Sequence, residues 1–290
     1  MSTINWDNFK YRCSSIDKAF AKSKSNPVLT EKQEKEFNEL EKIAHILTET
    51  QSKRFAELLL KKENGSKIIL SDTYIEYLME YYSWATTGKK AVSKEVIYLQ
   101  FVEKGKEVEN DSILLLSQVE GLNYVKNEQR VENKYLSGIP DVFVGEEIMK
   151  ATKITDLKSI WDYPGFLKKI NQPVETKYDR QVKGYMDITG ASEGEIADCL
   201  VDTPLWQQKD FHDLLLRKMN VISDESPAFR NEWEIIERSM TFEDIPKHKR
   251  VFKQKVEPFS DFDRNYLYDR VKIGREWLWK FDEMYQNLNK

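Results

Sequence analysis

Among 290 residues the chain carries 2 cysteines, Cys13 and Cys199. That number excludes a disulfide framework and a four-cysteine metal or iron–sulfur cluster, and it fits a reducing cytosol. The 3 histidines, His45, His212 and His248, are too scattered to suggest a shared ligand role. No apolar run approaches the roughly 20 residues of a membrane-spanning helix, and the first residues are polar, without the apolar core of a signal peptide. A cytoplasmic protein without membrane contact is therefore expected. An excess of positive charge is also missing: 45 Lys and Arg against 49 Asp and Glu leave a net charge of −4. Any contact with a polyanion must then come from local basic patches. Internal repeats are absent as well.

What is present is a normal globular composition, 40% hydrophobic with 12% aromatic residues, in a chain long enough to bury a sizeable core. One domain over 1–290 is expected, mainly helical over 1–93, with a core over 94–204 and a C-terminal strand and helices over 205–290. The organising stretch runs from Gly138 to Lys158. Pro140, lacking an amide hydrogen, suits a strand entrance, Val142-Phe143-Val144 is β-prone, and Gly145-Glu146-Glu147 supplies a turn before Lys153-Ile154-Thr155-Asp156-Leu157-Lys158. In the hairpin this predicts, Asp156 and Lys158 share a face, Leu157 points to the opposite packing, and Asp141 approaches them from the neighbouring strand. Two carboxylates and an ammonium on one spot suit Mg²⁺ or Mn²⁺ chemistry on a phosphodiester: hard oxygen ligands hold the cation, and the ammonium orients water and offsets developing charge. The bland alternative is an Asp in a turn beside an Asp/Lys pair on a wet strand face.

Around this hairpin the sequence predicts further elements. Ser14 or Ser15 reads as an N-cap for a short helix through Phe20; with Arg12 it could form an anion site, or it could merely cap while Arg12 packs on aromatics. Leu29 to Lys62 reads as a long helix or helix pair capped by Thr30 and closed by Asn64-Gly65. Ser71-Asp72-Thr73 caps a helix over Tyr74 to Ala85 whose aromatic stripe is read as core rather than as a base-stacking surface. Lys94 to Leu116, including Val96 and Ile97, reads as buried helix interrupted by Gly105, where another backbone should approach closely. Glu109 on this helix is either solvated or an upstream acidic ligand. Lys150 to Lys183 holds 8 basic side chains against 4 acidic ones, a strip able to follow a phosphate backbone. Tyr178 to Met186 begins a helix with Gln181 and Tyr185 on one face, Ile196 to Val201 a further strand, His212 to Met219 an amphipathic helix, 249–256 a basic-edged strand, and Asp261 to Leu288 a long terminal helix in which Trp277 and Trp279 need burial. The order helix, hairpin, helix, strand is an α/β pattern.

Glu109-Asn110-Asp111 after Gly105-Lys106, Pro140-Asp141, Asp156-x-Lys158 and Gln181-x-x-x-Tyr185, in that order, resemble the lambda-exonuclease/YqaJ-like viral recombinase branch of the PD-(D/E)xK nucleases. The resemblance covers roughly Lys10 to Pro204. It implies a restriction-endonuclease-like α/β core, a central mixed sheet flanked by helices, with helical N-terminal additions and a long C-terminal helix. It further implies that Asp141, Asp156, the Leu157 carbonyl and Glu109 ligate Mg²⁺ or Mn²⁺, two ions in all. Lys158 would position the attacking water, while Gln181 and Tyr185 support the scissile strand. Arg12, Ser14 and Ser15 would form a 5′-phosphate pocket, with Lys183 on the DNA. The activity implied is a 5′ to 3′ exonuclease on linear double-stranded DNA that leaves 3′ overhangs for a single-strand annealing partner, assembled as a trimeric ring and working in a host cytoplasm. An endonuclease of the same fold and a non-catalytic DNA-binding protein are the alternatives. Asp156 stands where Glu is common in the family, and its shorter arm bears on metal spacing.

Overall fold

A computed structural model describes residues 4–21, 29, 31–65, 70–89 and 99–288. Thr30, Val96 and Ile97 lie outside the described residues. The chain divides into two compact units, one of 1–7, 18–90 and 272–290, the other of 8–17 and 91–271. Neither boundary of the second unit falls at 204, so the predicted core and the C-terminal strand share it.

In the first unit the charged segment read as a helix or pair folds as the pair. Helices α2 (Glu31–Lys42) and α3 (Glu49–Gly65) close on Phe37, Leu40 and Leu58, with Phe37 stacked on Phe55 at 5.2 Å. They follow the single-turn helix α1 (Ile16–Ala19). Ser71 caps α4 (Asp72–Thr87), its hydroxyl accepting from the Tyr74 amide, and Gly88 ends the helix in the left-handed conformation at φ 70°. Tyr74, Tyr77, Leu78 and Tyr82 are buried, so the aromatic stripe is core. Tyr82 stacks on Trp6 at 5.1 Å and donates to Asp282, which also accepts from the Trp6 indole.

The second unit holds two sheets. Strand β1 (Tyr11–Arg12) runs parallel to β4 (Leu136–Gly138), which pairs antiparallel with β3 (Val131–Glu132). The larger sheet has the order β2-β5-β6-β7-β8, from β2 (Tyr124–Lys126), β5 (Val142–Val144), β6 (Lys153–Ile160), β7 (Glu193–Leu200) and β8 (Val251–Val256). The predicted hairpin is β5–β6. Between β6 and β7, which are parallel, the chain passes through α7 (Tyr163–Ile170) and α8 (Thr176–Thr189), as a parallel pair requires. Helices α5 (Leu99–Glu107) and α6 (Glu109–Glu120) precede the sheet; α9 (Leu205–Met219), α10 (Pro227–Arg238) and α11 (Asp261–Gln286) follow β7.

Each face of the large sheet is sealed by apolar contacts. Val142, Leu157, Ala197 and Cys199 pack with Leu115 and Leu116 of α6, while Ile196 and Val256 pack with Val182 and Met186 of α8. Burial of each such aliphatic side chain contributes about 2 kcal/mol. Three expectations change. The break between α5 and α6 falls at Val108, and a Cβ on Gly105 would meet nothing within 4 Å, so no backbone among the described residues approaches that glycine. Ser14 and Ser15 lie inside a 3₁₀ turn over Cys13–Ser15 that Arg12 precedes without a side-chain cap; neither serine is an N-cap. Trp279 is 42% exposed, its indole satisfied at the surface by Asp7. No helix among the described residues is long and apolar enough to cross a membrane.

Candidate active site

Strand alternation sets the site. On β6, Leu157 points into the α6 side of the sheet while Asp156 and Lys158 point toward α8. Asp156 is fully buried, at 0% exposure. Its Oδ1 accepts from Gln181 Nε2 at 2.9 Å, and the same nitrogen lies 3.0 Å from the Tyr185 hydroxyl. The predicted i, i+4 face of α8 therefore meets the middle of β6 as a unit. Asp156 Oδ2 lies 2.7 Å from the Lys158 ammonium, yet this buried oxygen accepts no hydrogen bond. The contact is one of charge without donor alignment. Lys158 also stands over the Tyr178 ring, 4.8 Å from its centre.

Asp141, one residue before β5, turns its Oδ2 to the Leu157 amide at 3.0 Å. Burial pushes the Asp141 carboxyl up to about 7, and the charge of Asp156 pushes the same way; Lys158 and the Leu157 amide oppose them. For Lys158, burial disfavours the ammonium, but the Asp156 and Asp141 carboxylates outweigh it and the pKa rises. Lys158 is thus a cation here. Burial, followed by the Asp141 and Asp156 charges, raises the Tyr185 phenol and keeps it protonated.

The donor set fits a hard divalent cation. Two carboxylates crowd one another, one buried carboxylate oxygen has no hydrogen-bond donor, and the Leu157 carbonyl belongs to the same strand segment. The third expected carboxylate is not gathered with them. Glu109, at the start of α6, is 2.7 Å from Lys126 on β2, and no group of three metal-binding side chains forms among the described residues.

The other predicted residues are placed as follows. Arg12 and Ser14 are exposed and Ser15 half-buried; Arg12 sits in register with Ser137 on β4, whose last residue is three before Asp141. Lys183 pairs with Asp179 at 2.8 Å. The basic strip is largely neutralised, since Lys150, Lys153, Lys158 and Lys169 also have carboxylate partners, two of them from outside the strip.

Two residues escaped sequence reasoning. Asp198 on β7, in register with Lys158, is 2% exposed and lines a small cavity with Lys158, Lys169 and Tyr178. Burial raises its carboxyl to about 6 against the pull of Lys169 and Lys158. An acid inside the run Ile196-Ala197-Asp198-Cys199-Leu200 was the available signal. Asn127 is the other; it gave no signal, because its side chain bonds to main-chain groups.

No protein-family model and no curated protein sequence matches the chain. Solved structures do. A phage-related exonuclease from Haemophilus somnus 129PT is 20% identical, with 96% of this chain and 97% of that one covered at a TM-score of 0.58. The alkaline exonuclease LHK-Exo from Laribacter hongkongensis is 10% identical, over 96% and 91% of the two chains, at 0.52. LHK-Exo in complex with dAMP gives 11% identity, 97% and 93% coverage, and 0.51. The chain therefore has the mixed α/β fold of these exonuclease structures, built on a restriction-endonuclease-like core.

Proposed function

We propose that the protein is a metal-dependent exonuclease that hydrolyses phosphodiester bonds of linear double-stranded DNA from the 5′ end, leaving 3′ overhangs. The observation that carries this reading is Asp156: buried, held through Oδ1 by Gln181, facing Lys158 with its other oxygen, and close enough to Asp141 for its charge to raise that carboxyl. Asp141, Asp156 and the Leu157 carbonyl would hold Mg²⁺ or Mn²⁺, which supplies charge for the scissile phosphate and acidifies a water. Glu109 would complete a two-ion set after exchanging its Lys126 partner. Lys158, as an ammonium, donates to the attacking water and offsets charge growing on the phosphate. Gln181 holds Asp156 in one rotamer, and Tyr185 braces Gln181 while its hydroxyl keeps a proton to donate to the scissile strand.

The end preference is drawn from the family resemblance and from Arg12, which lies on the strand beside β4; Arg12, Ser14 and Ser15 would receive a 5′ phosphate and Lys183, leaving Asp179, a backbone phosphate. Release of mononucleotides fits the dAMP held by LHK-Exo. A trimeric ring, a single-strand annealing partner and a role in recombination in a host cytoplasm complete the proposal. Time-resolved digestion of end-labelled linear and covalently closed circular DNA tests it. Linear duplex with a 5′ phosphate should shorten from that end while circles persist; cleavage of circles at the same rate would make the protein an endonuclease, and no cleavage of either a binding protein.

A further inference from the structure

We infer that Asn127 is a positioning residue for the Asp141 carboxylate, acting through the backbone of Pro140 and Asp141; this rests on Asp141 being a metal ligand. Strand β2 ends at Lys126, opposite Val142, so Asn127 lies across from Asp141. Here the β-ladder would lapse, because Pro140 offers no amide hydrogen. Asn127 carries the pairing onward. Its backbone amide donates to the Asp141 carbonyl at 2.9 Å. Its side-chain Nδ2 donates to the Pro140 carbonyl at 2.9 Å and to the Gln129 carbonyl at 2.9 Å. Its Oδ1 accepts from the Gln129 amide at 3.2 Å. The side chain is 8% exposed, so water cannot readily replace these bonds.

The chemistry selects an amide of this length. Two donors and an acceptor are all engaged, a demand that a carboxylate, a hydroxyl or an alkyl group cannot meet. The consequence reaches the carboxylate. Asp141 is pinned on the far side by the Leu157 amide at its Oδ2 and on the near side by the strap from Asn127 to the peptide that carries it. With the strap gone, the Pro140–Asp141 peptide can rotate and the carboxylate loses its fixed approach to Asp156. Groups that orient a ligand in this way typically carry 10- to 100-fold in metal affinity.

Two variants separate the strap from the local turn. Asn127→Leu keeps the size and removes all three side-chain bonds. Asn127→Ser retains a hydroxyl able to accept from the Gln129 amide but too short to reach Pro140. Mn²⁺ affinity of the full chain is read by the electron paramagnetic resonance of unbound Mn²⁺, alongside the half-saturating Mn²⁺ and the KM for DNA ends in turnover. The inference expects both variants to raise the Mn²⁺ dissociation constant about 10-fold or more, and the half-saturating Mn²⁺ with it, while KM for DNA stays within about 2-fold. Wild-type Mn²⁺ affinity in Asn127→Ser overturns it, and that variant decides alone if Asn127→Leu does not fold. Asp141→Asn is the control: if it too binds Mn²⁺ as wild type does, the metal assignment fails; if it loses Mn²⁺ while Asn127→Ser does not, only the role of Asn127 fails.

Discussion

The raised Asp141 carboxyl makes metal binding and folding depend on pH in opposite directions, and the size of both effects follows from the site. Its pKa moves from 3.8 to about 7, first through burial and then through Asp156, a preference for the protonated form on the order of a few kcal/mol. Between these two values the folded chain binds more protons than the unfolded one, so stability without metal falls as pH rises through about 7 and the penalty is complete above it. A divalent cation needs the ionised carboxylate. Its affinity should climb about 10-fold per pH unit below 7 and level off above, with about half a proton released per site at pH 7. Titration calorimetry with Mn²⁺ in buffers of different ionisation enthalpy, between pH 5.5 and 8.5, measures both the affinity and the proton count. In the metal-free chain, Asp141→Asn should remove the fall of stability between about pH 4 and 7, read by urea unfolding. A Mn²⁺ affinity independent of pH across the calorimetric range, with no proton release, would refute the reasoning.

Lys158→Ala should lower turnover by at least 100-fold in a chain still folded by circular dichroism, and should lower the thermal midpoint as well, because it removes the cation 2.7 Å from buried Asp156; unchanged turnover would remove the ammonium from the mechanism. Gly138→Ala tests the path from packing to chemistry: a Cβ there would meet Cε1 of Tyr185 at 2.6 Å and Cβ of Cys13 at 3.1 Å, so the ring must shift and loosen Gln181. Reduced Mn²⁺ affinity is expected, read by the same resonance assay, though the residue touches no ligand. Lys104 is buried, its ammonium bonded to the Trp161 carbonyl and Thr203 hydroxyl, both at 3.1 Å. Burial lowers it from 10.5 to about 8, against Asp202 and Asp162. The folded chain thus holds fewer protons than the unfolded between these values, and this group adds about 3 kcal/mol of stability as pH rises from 8 to 10.5. Lys104→Met should flatten that part of the urea-unfolding profile, and an unchanged slope counts against the assignment.

The hairpin was legible because period-2 alternation and a proline at the strand entrance are local signals, and Leu157 between two charged residues leaves one way to face the core. The α2–α3 pair and the Ser71 cap were legible for similar local reasons. Glu109 was not: its position on a helix start is readable, but its pairing with Lys126 depends on how β2 is registered against β5, which no short window encodes. Gly105 misled because a glycine can be tolerated on an open helix face as well as demanded by a close contact. The basic strip read as a surface for phosphates because a count of charges cannot see carboxylates brought in from elsewhere, such as Glu195 beside Lys153 at 3.5 Å. Asn127 acts only on main-chain atoms, so its neighbours in sequence carry no trace of the role.

The two faces of β6 also explain how a buried, incompletely hydrogen-bonded carboxylate is tolerated. The parallel pair with β7 runs for eight rungs, Lys153 against Glu193 through Ile160 against Leu200, and a slip of one residue would carry Leu157 out of its apolar cluster and drive Asp156 and Lys158 into it. That exchange would bury two charges against aliphatic side chains, a cost of several kcal/mol per ion. Register is therefore held by the scaffold face, and the strain of placing Asp156 beside Asp141 falls on protonation rather than on the strand itself. Gly184 and Gly194 extend the same logic to α8. A Cβ on Gly194 of β7 would collide with Met186 and Val182 of α8, so the helix settles close to that strand, and a Cβ on Gly184 would collide with Ile16, so α8 packs equally close to the start of α1 on its other side. That depth brings Gln181 within 2.9 Å of Asp156.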